Sequence, residues 1–183
     1  MFEIPKICQV KEVWMRAATF NEDFVNSIID IGRAAKQVEG QEIKAYGGRK
    51  GNIAWINDQE MMQKIANVVA TTNAAYFHYD LTAFFDAFQY AEYGEGDFFD
   101  WHIDRAGSPE HAPRKLSFTV NLSDPSEYEG GQFEVMYAPK PEVIDLARGE
   151  MIIFDAMMCH RITLVTRGAR KSLVGWACGP ELR

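Results

Sequence analysis

Cysteine is scarce in this chain. Cys8, Cys159 and Cys178 are the three present among 183 residues, an odd number with no C-x-x-C spacing. That argues against a disulfide framework and a cysteine-built zinc site, and it fits a reducing cytoplasm. No apolar run approaches the roughly 18 residues of a membrane span. The opening Met-Phe-Glu-Ile-Pro-Lys lacks the basic-then-apolar order of a secretion signal. A cytoplasmic location without membrane association is therefore expected. Positive charge is also short: 19 Lys and Arg face 26 Asp and Glu, for a net charge of −7. General affinity for nucleic acid is disfavoured on that ground, although a local basic groove is not. There is no internal repeat and no low-complexity tract.

What is present is an ordinary globular composition, 47% hydrophobic and 25% charged. The length suffices for one good core and is marginal for two, so a single domain over residues 1–183 is expected. Residues 5–16 alternate enough for an edge strand. Thr19 or Asn21 can cap a helix over 22–37, where Phe24, Ile28, Ile31 and Ala35 recur at helical spacing. Ile53–Ile56 reads as a short strand. Asn57 or Asp58 can cap a second helix with Met61, Ile65, Val68 and Val69 inward, ending near Thr72. Strand patterns then follow at 82–91, 116–122, 132–137, 142–146, 151–154, 161–165 and 171–177, separated by glycine and proline turns. Helices first and many short strands afterwards predict a mostly β fold, a double-sheet jelly roll or barrel with helices packed on one sheet. Two glycine-rich loops, 46–52 and 105–113, are candidates for a lid over a site; a plain hairpin turn is the simpler reading of the first.

The chemistry concentrates at Tyr93–Asp104, which ends in His102-Ile103-Asp104. On a strand, alternate side chains share a face, so His102 and Asp104 would point together. His160, just beyond the apolar strand 151–154, best supplies a third ligand. Two imidazoles and one carboxylate with open positions are the facial triad of non-heme iron(II) oxygenases. Cys159 would face away from the site. His78 fits a connection between elements, and His111 fits a solvated loop. A second feature lies at Gly168–Ser172. Arg170, Ser172, Val174 and Trp176 share a face if 170–177 is a strand. A guanidinium on an interior strand face needs an anion, and beside a hydroxyl it suits a carboxylate. A protein Asp or Glu is the plain partner; with the triad upstream, a 2-oxo acid is the favoured one. Arg167 and Lys171 are expected in solvent.

Taken together, Tyr93-x-x-Gly96-x-x-Phe99-x-x-His102-x-Asp104, Tyr128-Glu129-Gly130-Gly131, Gly149–Phe154, His160–Val165 and Gly168-x-Arg170-x-Ser172 resemble prolyl 4-hydroxylase-like 2-oxoglutarate/iron(II) dioxygenases of the PKHD type. The resemblance covers about residues 85–178, in order. It implies a double-stranded β-helix, with residues 1–80 as helical support and 81–180 as the catalytic core. It implies iron(II) on His102, Asp104 and His160, with 2-oxoglutarate and O2 as cosubstrates and ascorbate as an optional reductant. Arg170 would hold the far carboxylate, and Tyr93 would hydrogen-bond the cosubstrate. Asn121 stands where some relatives carry a tyrosine for that carboxylate; Ser172, Thr119 or Asn121 would share the role. A prolyl residue of a peptide or protein is the leading substrate implied, ahead of a free amino acid or other small molecule, with nucleic acid third. A non-catalytic jelly-roll binder and a zinc hydrolase on the same three ligands are the competing classes. Nothing in the sequence bears on oligomeric state.

Overall fold

The computed structural model describes residues 13–36, 38–39, 48–105, 109–136 and 138–180. The start of the expected 5–16 strand, Cys8, Tyr46, Gly47 and residues 106–108 of the second loop lie outside these.

An eight-stranded sheet carries the molecule. Its strands are β1 (Trp14–Thr19), β2 (Val38–Glu39), β4 (Asn52–Ile56), β5 (Ala83–Phe84), β6 (Phe88–Tyr93), β8 (Arg114–Asn121), β12 (Glu150–Asp155) and β15 (Arg170–Cys178). They run in the order β1-β12-β8-β15-β6-β4-β2, with β5 also on β15. Five strands form the facing sheet: β3 (Arg49–Lys50), β7 (Phe98–His102), β10 (Phe133–Met136), β11 (Glu142–Val143) and β13 (Cys159–Ile162), in the order β11-β10-β13-β7-β3. A small ribbon pairs β9 (Tyr128–Gly130) with β14 (Val165–Gly168). All pairings in the larger sheet are antiparallel. Crossing between two facing sheets in this way makes a jelly roll, as the strand pattern predicts.

Two helices cover the outer face of the large sheet. α1 (Glu22–Ala34) starts at Asn21, whose side-chain oxygen accepts from the Phe24 N–H. Such a cap contributes about 1 kcal/mol. α2 (Gln59–Thr72) starts in the same way at Asp58. It runs on into a wide turn, Asn73–Phe77, that closes on His78 at φ 57. The Asn73 side chain locks this stop, donating to the Tyr79 carbonyl and accepting from the Tyr79 N–H. His78 is thus an exposed helix terminator.

Strand alternation divides two cores. Phe88, Tyr90, Phe118, Val120, Met151, Ile153 and Leu173 pack outward against Val25, Ile28, Met61 and Ile65 of the helices. Residues of opposite parity, including Ala91, Tyr93, Ile152 and Phe154, turn inward to meet Phe133, Val135 and Ile162 of the small sheet. Gly175 sits where β15 crosses the Phe88–Phe118 pair, whose rings meet edge-to-face at 5.0 Å. A Cβ at Gly175 would stand 2.6 Å from the Phe118 ring and 2.7 Å from that of Phe88. The close approach of that strand to the aromatic layer needs glycine.

Several boundaries differ from expectation. The 82–91 strand is two pieces, because Phe85–Ala87 bulge out between β5 and β6. The 161–165 strand is likewise split into β13 and β14. The stretch Tyr93–Asp104 is not one strand either: β6 ends at Tyr93, a turn at Gly94–Asp97 intervenes, and β7 ends at His102.

Candidate active site

His102 and Asp104 do converge, but not by strand alternation. β7 stops at His102, and Asp104 reaches inward from the turn that follows. Ser117 on the inward face of β8 donates its hydroxyl to Asp104 Oδ2 at 2.7 Å, and Arg114 donates to the Asp104 carbonyl at 3.2 Å. The first holds the carboxylate and the second its backbone, both from the opposite sheet. His160 enters on β13, the neighbour of β7, directly across from His102. The nearest Asp104 oxygens are 3.6 Å from His102 Nε2 and 3.6 Å from His160 Nε2, and the donor atoms of all three lie within 4.8 Å of one another. His111 and Cys159 are not in this cluster.

Each imidazole is aimed by the same device. His102 Nδ1–H donates to the Asp100 carbonyl at 2.8 Å, and His160 Nδ1–H to the Met158 carbonyl at 2.9 Å. A carbonyl only accepts, so both Nδ1 atoms carry the proton and both Nε2 lone pairs face the common point. Burial, reinforced by the neighbouring His160, pushes His102 down to about 3, so it stays neutral. Burial by itself would raise the Asp104 carboxyl; His160, His102 and the Ser117 hydroxyl outweigh it and hold it below the usual carboxylate range. Two imidazoles and one carboxylate suit a divalent transition metal, and three protein donors on one side leave positions open. By donor set and approach the site fits iron(II).

Aromatic rings wall the centre. Phe99 stacks on His102 with centroids 3.6 Å apart, and Phe154 stands edge-on to His160 at 4.9 Å. An irregularity between β7 and β13 brings Phe99 and His102, three residues apart, onto one face. Arg49 on β3 lies over the outer side of Phe99 at 4.6 Å and donates to Gln89 Oε1. It is buried, its Nε has no partner, and no carboxylate pairs with it among the described residues. The indole N–H of Trp176 approaches Asp104 without closing a hydrogen bond, while Arg114 covers the Trp176 ring at 3.8 Å.

The inward face of the large sheet descends in layers from the metal side. Ser117 is opposite Trp176, Thr119 opposite Val174, and Asn121 opposite Ser172; Arg170 follows at the bottom, opposite Tyr93. Arg170 is 2% exposed. It donates to Ser172 Oγ at 3.2 Å and lies near the Tyr128 side chain across Gly131, with no acid partner among the described residues. Its burial lowers its pKa while Tyr128 and Tyr93 oppose that. A buried guanidinium satisfied by neutral groups alone fits a site built for an anion. Arg167 and Lys171 instead pair with Glu129 and Glu127. Of the other expected contributors, Tyr93 is buried beside Arg170, and Thr119 lies midway on the same face. Asn121 has spent both amide hydrogens on the Ser123 and Leu146 carbonyls.

Ser117, Gln89, Arg49 and Tyr128 escaped the sequence reading. Ser117 shares the parity of Thr119 and Asn121, which was the available signal. Arg49 falls in the 46–52 stretch read as a possible lid and is instead part of β3, while nothing local marks Gln89.

This fold and donor set define a class: a jelly roll with a facial metal centre between its sheets. Residues 88–178 match the sequence profile of the 2OG-Fe(II) oxygenase superfamily, and the chain belongs to it. A PKHD-type hydroxylase of Pseudomonas fluorescens is 38% identical over 89 residues, 46% of this chain and 39% of that protein. One from Hyphomonas neptunium is 41% identical over 86 residues, 45% of this chain and 38% of that protein. The matched segment thus spans about two-fifths of those curated relatives. Among solved structures, a Pseudomonas putida prolyl-4-hydroxylase superposes with a TM-score of 0.73 at 19% identity, covering 92% of this chain and 93% of that one. The collagen prolyl hydroxylase of Paramecium Bursaria Chlorella virus-1, solved with 2OG, gives 0.70 at 17% identity over 95% and 99%. A Trichoplax adhaerens prolyl hydroxylase bound to a hypoxia inducible factor peptide gives 0.71 at 16% over 90% and 82%. At these identities the likeness is one of fold.

Proposed function

We propose that this chain is a 2-oxoglutarate- and iron(II)-dependent dioxygenase that hydroxylates a C–H bond, with a prolyl residue of a peptide or protein as the leading substrate. The observation that carries the reading is the pairing of His102, Asp104 and His160 with Arg170, a buried cation lacking an acid partner among the described residues. Iron(II) with 2-oxoglutarate and dioxygen supplies the oxidising power for oxygen insertion, leaving succinate and carbon dioxide. The chain's part is positional. His102, Asp104 and His160 hold the metal on one side. Arg170 and Ser172 hold the far carboxylate and so orient the keto acid toward the metal. Phe99, Phe154 and Phe133 keep water from the reacting centre. The prolyl assignment draws on the relatives and structural neighbours named above.

The test is succinate release by the protein supplied with iron(II), 2-oxoglutarate, ascorbate and a panel of proline-containing peptides. Mass spectrometry should find one added oxygen atom on the accepted peptide. Metal-loaded protein that releases no succinate, with or without substrate, defeats the dioxygenase reading. Succinate release with oxygen found on free amino acids and not on peptides defeats the prolyl assignment alone.

A further inference from the structure

We infer that Tyr79 and Asp155 are positioning residues for the metal centre: together they set the turn whose carbonyl aims His160. The inference rests on the dioxygenase reading above for the metal, not for the geometry.

His160 reaches the site by an abrupt crossing between the sheets. β12 ends at Asp155 in the large sheet and β13 begins at Cys159 in the small one, so Ala156–Met158 make the whole connection. Two carbonyls of this turn meet the ligand segments. Met158 accepts from His160 Nδ1–H at 2.9 Å, and Ala156 accepts from the N–H of Arg105, next to Asp104, at 3.1 Å. A shift of the turn therefore moves the aim of one imidazole and the anchor of the carboxylate segment together. Packing holds the turn on one side only: Ala156 and Met158 are buried, but Met157 at the tip is 53% exposed.

The Asp155 side chain supplies the hold on the open side. Its Oδ1 accepts from the Met157 N–H at 2.8 Å, while its main-chain carbonyl accepts from the Met158 N–H at 2.8 Å. An aspartate bonding its own backbone two residues on closes a turn locally. Here the second oxygen is held as well, because the Tyr79 phenol donates to Asp155 Oδ2. A carboxylate gripped at both oxygens does not rotate away from Met157. Burial, and then Asp155 itself, pushes the Tyr79 pKa up, so the hydroxyl keeps its hydrogen and donates.

Tyr79 is fixed in its turn. The Asn73 side chain brackets its backbone, donating to its carbonyl and accepting from its N–H. The contacts thus run from the end of α2 through Tyr79 and Asp155 to Met158 and His160. Neither Tyr79 nor Asp155 belongs to the ligand cluster, so both act through the turn.

The experiment follows the histidine ring N–H signals of isotope-labelled, metal-free protein by nuclear magnetic resonance, and measures iron(II) affinity against a competing chelator. His102 is the internal control, since its Nδ1–H is held by Asp100 and not by this turn. Tyr79→Phe keeps the ring and removes the hydroxyl. Asp155→Ala removes both acceptors, and Asp155→Asn keeps one for Met157. Tyr79→Phe and Asp155→Ala should speed solvent exchange of the His160 ring proton, leave that of His102 as it was, and weaken iron(II) binding at least about tenfold. Asp155→Asn should recover most of what Asp155→Ala loses. Unchanged His160 exchange in Tyr79→Phe and Asp155→Ala overturns the inference. Equal loss of both histidine signals with a lower melting temperature overturns it too, because that marks a general loosening of the fold. Wild-type protein that binds no iron(II) defeats the dioxygenase reading instead, and the exchange rates of the metal-free variants still decide the role of the turn.

Discussion

His102 and His160 are register partners across β7 and β13, with ring centroids 4.1 Å apart. Each is held through Nδ1 by a carbonyl two residues upstream. The two lone pairs are therefore aligned by sheet backbone and not by an ion. Metal removal should leave the fold standing, unlike domains whose site forms only on binding. Chelator-treated protein should keep its far-ultraviolet circular dichroism and regain thermal stability when iron(II) is restored. Collapse of the spectrum on chelation contradicts this.

Asp104 depends on Ser117 for its orientation. Partners of a ligating carboxylate commonly cost 10–100-fold in metal affinity when removed. Ser117→Ala should weaken iron(II) binding by roughly that factor, with little change in melting temperature. A competition titration against a coloured chelator measures the first quantity and calorimetry the second.

Acid should destabilise the metal-free protein in a defined window. Burial lowers His102 from 6.5 to about 3 in the folded state. Between those values the unfolded chain binds a proton that the folded chain refuses, so stability falls as pH falls. Asp104, also lowered, extends the loss at the acid end. Above pH 6.5 neither group contributes a slope. Replacing His102 with Gln should flatten the fall in melting temperature between pH 6.5 and pH 4; an unchanged slope would show that other groups carry it.

Gly175→Ala forces a methyl group against Phe118 and Phe88. Overpacking of this kind costs about 1–3 kcal/mol. Because β15 also carries Arg170, Ser172 and Trp176, affinity for 2-oxoglutarate should fall with stability. Urea unfolding and ligand titration on the same variant test the linkage.

Arg49 is a buried cation without an acid among the described residues. Such a charge opposes folding, and apolar replacements of similar volume are often neutral or stabilising. Arg49→Met should melt no lower than wild type while turnover falls at least tenfold, the signature of a residue kept for the site. A variant that loses stability and keeps turnover assigns Arg49 to structure instead.

Much of this architecture was legible before any coordinates. Period-two patterns located the strands that carry Thr119, Asn121, Arg170 and Ser172, because burial on one sheet face imposes alternation. Of the cap candidates, Thr19 or Asn21 and Asn57 or Asp58, the structure uses Asn21 and Asp58, so both helix starts were legible to within two residues. Alternation failed at His102-Ile103-Asp104, where the strand ends and a turn, not the pleat, brings the carboxylate in. It failed again at Phe99 and His102, which share a face through a register irregularity that no residue pattern announces.

By itself the sequence determined the candidate ligand trio, the inward placing of Arg170 and the order of helices and strands, since each depends on residue type and on spacing along the chain. Only the tertiary structure decided that Ser117 steadies Asp104, that Arg49 backs Phe99, and that Asn121 spends its amide hydrogens on backbone carbonyls. Those relationships join strands far apart in the chain. Their physical cause is which sheet lies opposite which, and where each polar atom's hydrogens are already spent.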